Sequence, residues 1–228
     1  VIPALDFQAC GASAWQATPD MALRTTVCAG LLVVAGWASA RRRFPGKLSF
    51  VAMSLVMAAW IALSIIAHAA VEAARKGTVG LLSWGVTLWQ PALLALFLHR
   101  YLNSEQPLPS PWARWLLAAP VVLMWALAWS DGAHGLFYGS RTALGSPMHG
   151  PPRLHYDYGP LFYAAIGLCY FWLSLAIVLT LRGLRQTLTS QRGQWLAFLA
   201  MMSVPMAANI AYLGFGFRLF GADPTSTA

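Results

Sequence analysis

Charge is what this sequence has least of. Only 10% of its 228 residues are charged, against 58% hydrophobic, and the mean hydropathy is +0.59. That balance excludes an ordinary soluble domain and points to a membrane protein. Lysine is nearly missing. Lys47 and Lys76 are the only two, and both read as loop residues, which excludes a retinal Schiff base within a span. Cysteine is scarce as well. Cys10, Cys28 and Cys169 form no paired motif, so a disulfide framework is excluded and core packing is their expected role. No serine nucleophile elbow, phosphate loop, paired catalytic carboxylates or phosphoacceptor histidine motif is present. The first twenty residues lack a basic leader followed by an apolar run, so no signal peptide is expected.

What is present is a series of six apolar segments, each near the length of a helical span. They run over Ala22–Ala40, Leu48–Val71, Val79–Leu98, Trp112–Trp129, Leu161–Leu181 and Trp195–Phe215. The fold class is all-α, a polytopic membrane helix bundle with six spans in this chain. It forms one folding unit: an external segment over 1–21, the six-helix bundle over 22–215, and an external turn over 216–228.

The net charge of +8 would suit nucleic acid in a soluble protein. Here basic residues flank apolar spans, and no nucleic-acid partner is expected. Nine lie in the short loops after the first, third and fifth spans, against six on the other side. The positive-inside rule places those loops in the cytoplasm and the N-terminus outside. The connection from Ser130 to Pro160 is then external. It is too long for a simple hairpin, and its aromatic and histidine content predicts a lid folded partly back over the bundle.

Trp60, Ser64, His68 and Glu72 recur at i, i+4 spacing along the second span, one polar stripe rising to the outer surface. Such a stripe is costly against lipid and predicts an inward or aqueous face; contact of His68 and Glu72 with headgroups is the alternative. In the sixth span Pro205, Asn209 and Tyr212 share a face. Proline frees a backbone carbonyl and bends a helix, so Asn209 reads either as an interhelical hydrogen-bonding residue or as part of a ligand site beside a kink. Pro91 predicts a second kink in the third span, next to Gln90. Tyr163 and Tyr170 lie seven apart in the fifth span with Gly167 between them. The candidate ligand-binding set is His68, Glu72, Trp84, His134, Tyr138, Tyr163, Asn209 and Tyr212. His134, His149, His155 and Asp157 have irregular spacing, so no metal site is expected, and no cofactor either.

Several fragments together resemble a known family. They are "ARRRFPG" after the first span, Trp60 in the second, Pro91 with "FLHRY" in the third, "SDGAHGLFY" after the fourth, "YDYGP" opening the fifth, and "PMAANIAYLGFGFRLFGADPT" at the end. Their order and spacing, over residues 22 to 225, resemble the N-terminal seven-transmembrane sensor region of bacterial histidine kinases, also found in front of diguanylate cyclases. The resemblance implies a non-enzymatic receptor domain of the bacterial inner membrane that binds a small-molecule signal and relays it to a cytoplasmic kinase or cyclase output domain. It also implies a seventh helix just after Asp223 to Thr225, which the chain lacks, and a homodimer in the lipid bilayer is the expected assembly. The family brings no set of ligand contacts, so the candidate residues rest on spacing alone. A small membrane transporter or a cofactor-bearing redox subunit is the alternative reading.

Overall fold

The computed structural model describes residues 15, 20–41, 44–103, 110–145, 153–186 and 192–215. Six long helices occupy the six apolar segments: α1 (Asp20–Ala40), α2 (Lys47–Ala69), α3 (Ala73–Leu102), α4 (Pro111–Trp129), α6 (Pro160–Gln186) and α7 (Arg192–Phe215). A single helical turn, α5 (Asp131–His134), follows α4. Two three-residue strands, β1 (Ala143–Gly145) and β2 (Arg153–His155), pair antiparallel in the connection to α6. That small hairpin is a departure from a purely helical fold. Among the described residues five helices are long and apolar enough to cross a membrane, and in α4 the apolar stretch is the shorter Ala118–Trp129.

The helix bounds follow physical signals. Gly46 takes a left-handed φ of 77° in the turn before α2, where a Cβ would come within 2.9 Å of the Phe97 ring, so glycine suits the site twice over. Lys47 then donates from Nζ to the Ser39 and Arg41 carbonyls at 2.7 and 2.8 Å, closing the end of α1. α3 begins six residues before the expected span, because its first turns carry Arg75 and Lys76 and no apolar run marks them. Both lysines therefore lie in helices, not in loops. Lys76 is buried and donates to the Ala67 carbonyl at 2.8 Å, so loop position does not exclude a Schiff base. α3 and α7 are helical straight through Pro91 and Pro205, and α4 contains a further internal proline, Pro120.

α3 is the hub: it packs against α2, α4 and α6, while α1 leans on α2 and α7 on α6. Small residues allow the closest approaches. A Cβ on Gly85 would lie 2.6 Å from the Trp125 ring of α4, and one on Gly183 would lie 2.6 Å from the Trp195 ring of α7. Two apolar cores result. At the end bearing the basic loops, Leu94, Phe97 and Leu98 of α3 meet Trp172 and Ala176 of α6 and Trp195 and Met202 of α7. At the opposite end, Leu81 and Leu88 meet Val121 and Ala128 of α4, Phe162 of α6 and Phe137 from the long connection. We call these the basic end and the cap end. Large apolar side chains elsewhere point outward, as lipid-facing surfaces do.

Candidate functional site

The long connection is more than a lid, since part of it belongs to the core. Phe137 is fully buried and sits edge-on to Trp84, with ring centroids 5.2 Å apart, and to Phe162 at 5.9 Å. Tyr138 accepts a 2.8 Å hydrogen bond from the Trp84 indole N–H. Its ring lies 4.7 Å from that of Tyr156, and the Tyr158 ring stacks on Phe162 at 3.9 Å. Burial, with the Tyr156 phenol close by, pushes the Tyr138 hydroxyl well above its usual range. It stays neutral and keeps its role as acceptor for Trp84.

Asp131 holds this cap in shape. Its carboxylate is buried and accepts the Phe137 N–H at 2.7 Å and the Tyr138 N–H at 3.0 Å. The chain reaches back to it because Gly135 takes a φ of 60° after the single turn of α5. His134 completes the wrap. Its Nδ1 accepts the Leu136 N–H at 3.0 Å and its Nε2 donates to the Leu127 carbonyl at 3.0 Å, which ties the end of α4 to the start of the cap. Gly139 and Gly159 tie the returning strand to the outgoing one through the Asp157 and Phe137 carbonyls at 2.6 and 2.9 Å. A Cβ on Gly159 would collide with the Leu136 carbonyl oxygen.

The sequence-predicted residues separate into groups. Trp84 and Tyr138 meet in the cap, and His134 joins it through Asp131, whose carboxylate lies 3.5 Å from the imidazole Nδ1. His68 lies in the last turn of α2 and donates from Nδ1 to the Ser64 carbonyl at 2.7 Å, while the Arg24 guanidinium of α1 donates to the Ser64 hydroxyl. Glu72 is not on that stripe, which is a correction to the i, i+4 reading. α2 stops at Ala69, where Ala70 pairs with the Trp15 backbone, and Glu72 stands before α3 with its carboxylate 3.1 Å from Arg75 Nε. Tyr163 is 59% exposed, away from the cap rings except Phe162. Asn209 accepts a 2.9 Å bond from the Tyr170 hydroxyl, joining α7 to α6. The Tyr212, Pro205 and His155 side chains and all of His149 lie outside the described residues. Spacing missed Asp131, Phe137, Arg24 and Lys76. For Asp131 the signal was present in the Asp-Gly-Ala-His-Gly run, a turn signature read only as loop.

The α6–α7 bond has a testable value. Asn209→Leu is expected to cost about 0.6 to 2 kcal/mol of stability in detergent. Tyr170→Phe should cost a similar amount, and the double variant little more than either, as thermal unfolding of the four proteins would show.

No curated protein and no solved structure matches the chain. A family model described as the N-terminal 7TM region of histidine kinase matches residues 21–228. With nearly its whole length matched, and helices built for a membrane, this chain belongs to that family of multi-pass signal-input regions.

Proposed function

We propose that the chain is a receptor domain that senses an extracytoplasmic or membrane-borne small molecule and relays a conformational change to a cytoplasmic kinase or cyclase output domain. In this reading the region itself performs no catalysis. It sits in a bacterial inner membrane with its N-terminus and cap outside, and works as a homodimer. The observation that carries the reading is the continuity of α3. One unbroken helix bears Trp84, which holds the cap, and Phe97, which belongs to the core at the basic end. A shift of the cap therefore loads a continuous helix whose other end lies on the side where an output domain would act. Signalling further requires a ligand that binds two arrangements with different affinities.

The test is a chimera in which this chain, then a seventh apolar helix to return the polypeptide to the cytoplasmic side, precedes a histidine kinase module in proteoliposomes. Trp84→Phe keeps an aromatic ring but removes the indole N–H given to Tyr138. It is expected to shift basal autophosphorylation about threefold, the effect of roughly 0.6 kcal/mol on a two-state equilibrium. An unchanged rate in a folded variant would show that cap and output are not coupled.

A further inference from the structure

In the middle of the spans, among the described residues, two buried side-chain N–H groups have no hydrogen-bond partner: Gln90 Nε2 on α3 and Trp172 Nε1 on α6. A buried donor without an acceptor is costly, more so where no water enters. Their heights in the bundle can be compared. At the basic end the Phe97 ring lies 5.5 Å from Phe50 of α2 and 6.0 Å from Phe198 of α7, which sets those three helices level. At about 1.5 Å per residue, Gln90 stands roughly 10 Å nearer the cap than Phe97. Asn209, eleven positions on from Phe198, stands about 16 Å nearer the cap and bonds Tyr170 of α6. Trp172, two positions along α6 from Tyr170 toward the basic end, falls between these heights. The two lone donors thus share one layer, on helices that pack together, and Trp172 shares its apolar cluster with Leu94, one turn from Gln90.

An acceptor accompanies them, on a stripe of α3 that is less buried toward the cap. Pro91 has no N–H to give to the Thr87 carbonyl, so an acceptor stands one turn from Gln90. Ser83, Thr87, Gln90, Leu94 and Phe97 form one stripe of α3 by helical spacing. Leu94 and Phe97 are buried, whereas Ser83, Thr87 and Gln90 are half-buried. The stripe is buried at the basic end and half-buried toward the cap. On α2, Trp60 shares a face with Met53, which packs on the basic-end core, and stands level with Thr87. The facing stretches of α2, α3, α6 and α7 at this height contain no acidic or basic residue. A charged ligand would lose its hydration there with no counter-charge from these helices.

From this geometry we infer that the polar layer around Gln90 and Trp172 is the ligand site, and that its ligand is an uncharged lipophilic molecule carrying a carbonyl oxygen. The inference deepens, and rests on, the reading of the chain as a small-molecule receptor domain. The carbonyl accepts from Gln90 and Trp172, an N–H or O–H on the same molecule can donate to Thr87, and its hydrocarbon part lies along the α2 and α6 walls.

The test uses the full chain in lipid nanodiscs and a diazirine-bearing decanamide as the probe, with label mapped by mass spectrometry. Decanamide, decane and decanoate serve as competitors. The expected result is saturable labelling of α2, α3 or α6 peptides that decanamide displaces, decanoate displaces poorly and decane does not. Gln90→Leu and Trp172→Phe should each weaken displacement about fivefold to tenfold, the effect of one lost buried hydrogen bond. Both variants should melt at or above the wild-type temperature, because each removes a donor with nothing to bond. Equal displacement by decane, unsaturable labelling, label elsewhere, unchanged affinity in the variants, or variants that melt well below wild type would each overturn the site. If the Trp84→Phe chimera still shifts kinase output in that event, the receptor reading stands and only this location and ligand class fall.

Discussion

Asp131→Ala is expected to release the cap. The Phe137 and Tyr138 amides lose their acceptor, and each buried N–H left without one costs about 1 to 3 kcal/mol. The expected loss is therefore about 2 to 6 kcal/mol, concentrated in the cap instead of spread over the bundle. Asp131→Asn keeps one side-chain oxygen as an acceptor and should lose about half as much. Hydrogen exchange of the Phe137, Tyr138 and Gly159 amides gives the local measurement, since cap opening exposes all three while amides in the middle of α3 stay protected. Unaltered exchange in Asp131→Ala would mean that the carboxylate does not hold the loop.

The second large effect is Phe137→Ala. The ring is fully enclosed and touches Trp84, Tyr138 and Phe162, so truncation leaves a hole among rigid aromatic neighbours that cannot collapse to fill it. A loss of about 3 to 5 kcal/mol is expected, read as a lower denaturation midpoint in detergent together with a change in tryptophan emission from Trp84. Phe137→Leu should recover much of it. The two sites are tied, because Asp131 binds the Phe137 amide directly. The double variant Asp131→Ala/Phe137→Ala should therefore cost far less than the sum, for a cap already detached has little further stability to lose.

Six helices were legible in the sequence because lipid imposes long apolar runs, and α1, α2 and α4 begin and end within two residues of those runs. α3 was not, at its start. Arg75 and Lys76 break the hydropathy signal although both are helical, and the burial of Lys76 depends on a carbonyl of the preceding helix. Glu72 shows the limit of periodicity, which assumes that the helix continues. α2 ends where Ala70 pairs with Trp15, a contact from far along the chain that no local pattern encodes. Trp84 and Tyr138 were picked out by residue type and are hydrogen-bonded to each other, whereas His134 bonds backbone groups of Leu127 and Leu136. Tyr163 was picked out in the same way and points outward, because aromatic content alone does not say which side of a helix faces inward. The residue that organises the cap, Asp131, acts on amides six and seven positions later, through a turn that depends on the backbone of Gly135.

The sharing of α3 between two cores also dictates an order of assembly. α2 and α3 are joined by only three residues, Ala70 to Glu72, so their hairpin can form as soon as both have entered the bilayer, with little loop entropy to overcome. The cap closes later. Phe137 needs Trp84 behind it and Phe162 beside it, and Phe162 belongs to α6, the next long helix to be synthesised. Until α6 arrives, the cap-end face of α3 carries an unpaired tryptophan and exposed leucines, a surface open to neighbouring chains or insertion chaperones. A pulse-labelled nascent chain should thus shift from protease-sensitive to resistant across residues 130 to 145 only once α6 has cleared the ribosome and entered the membrane.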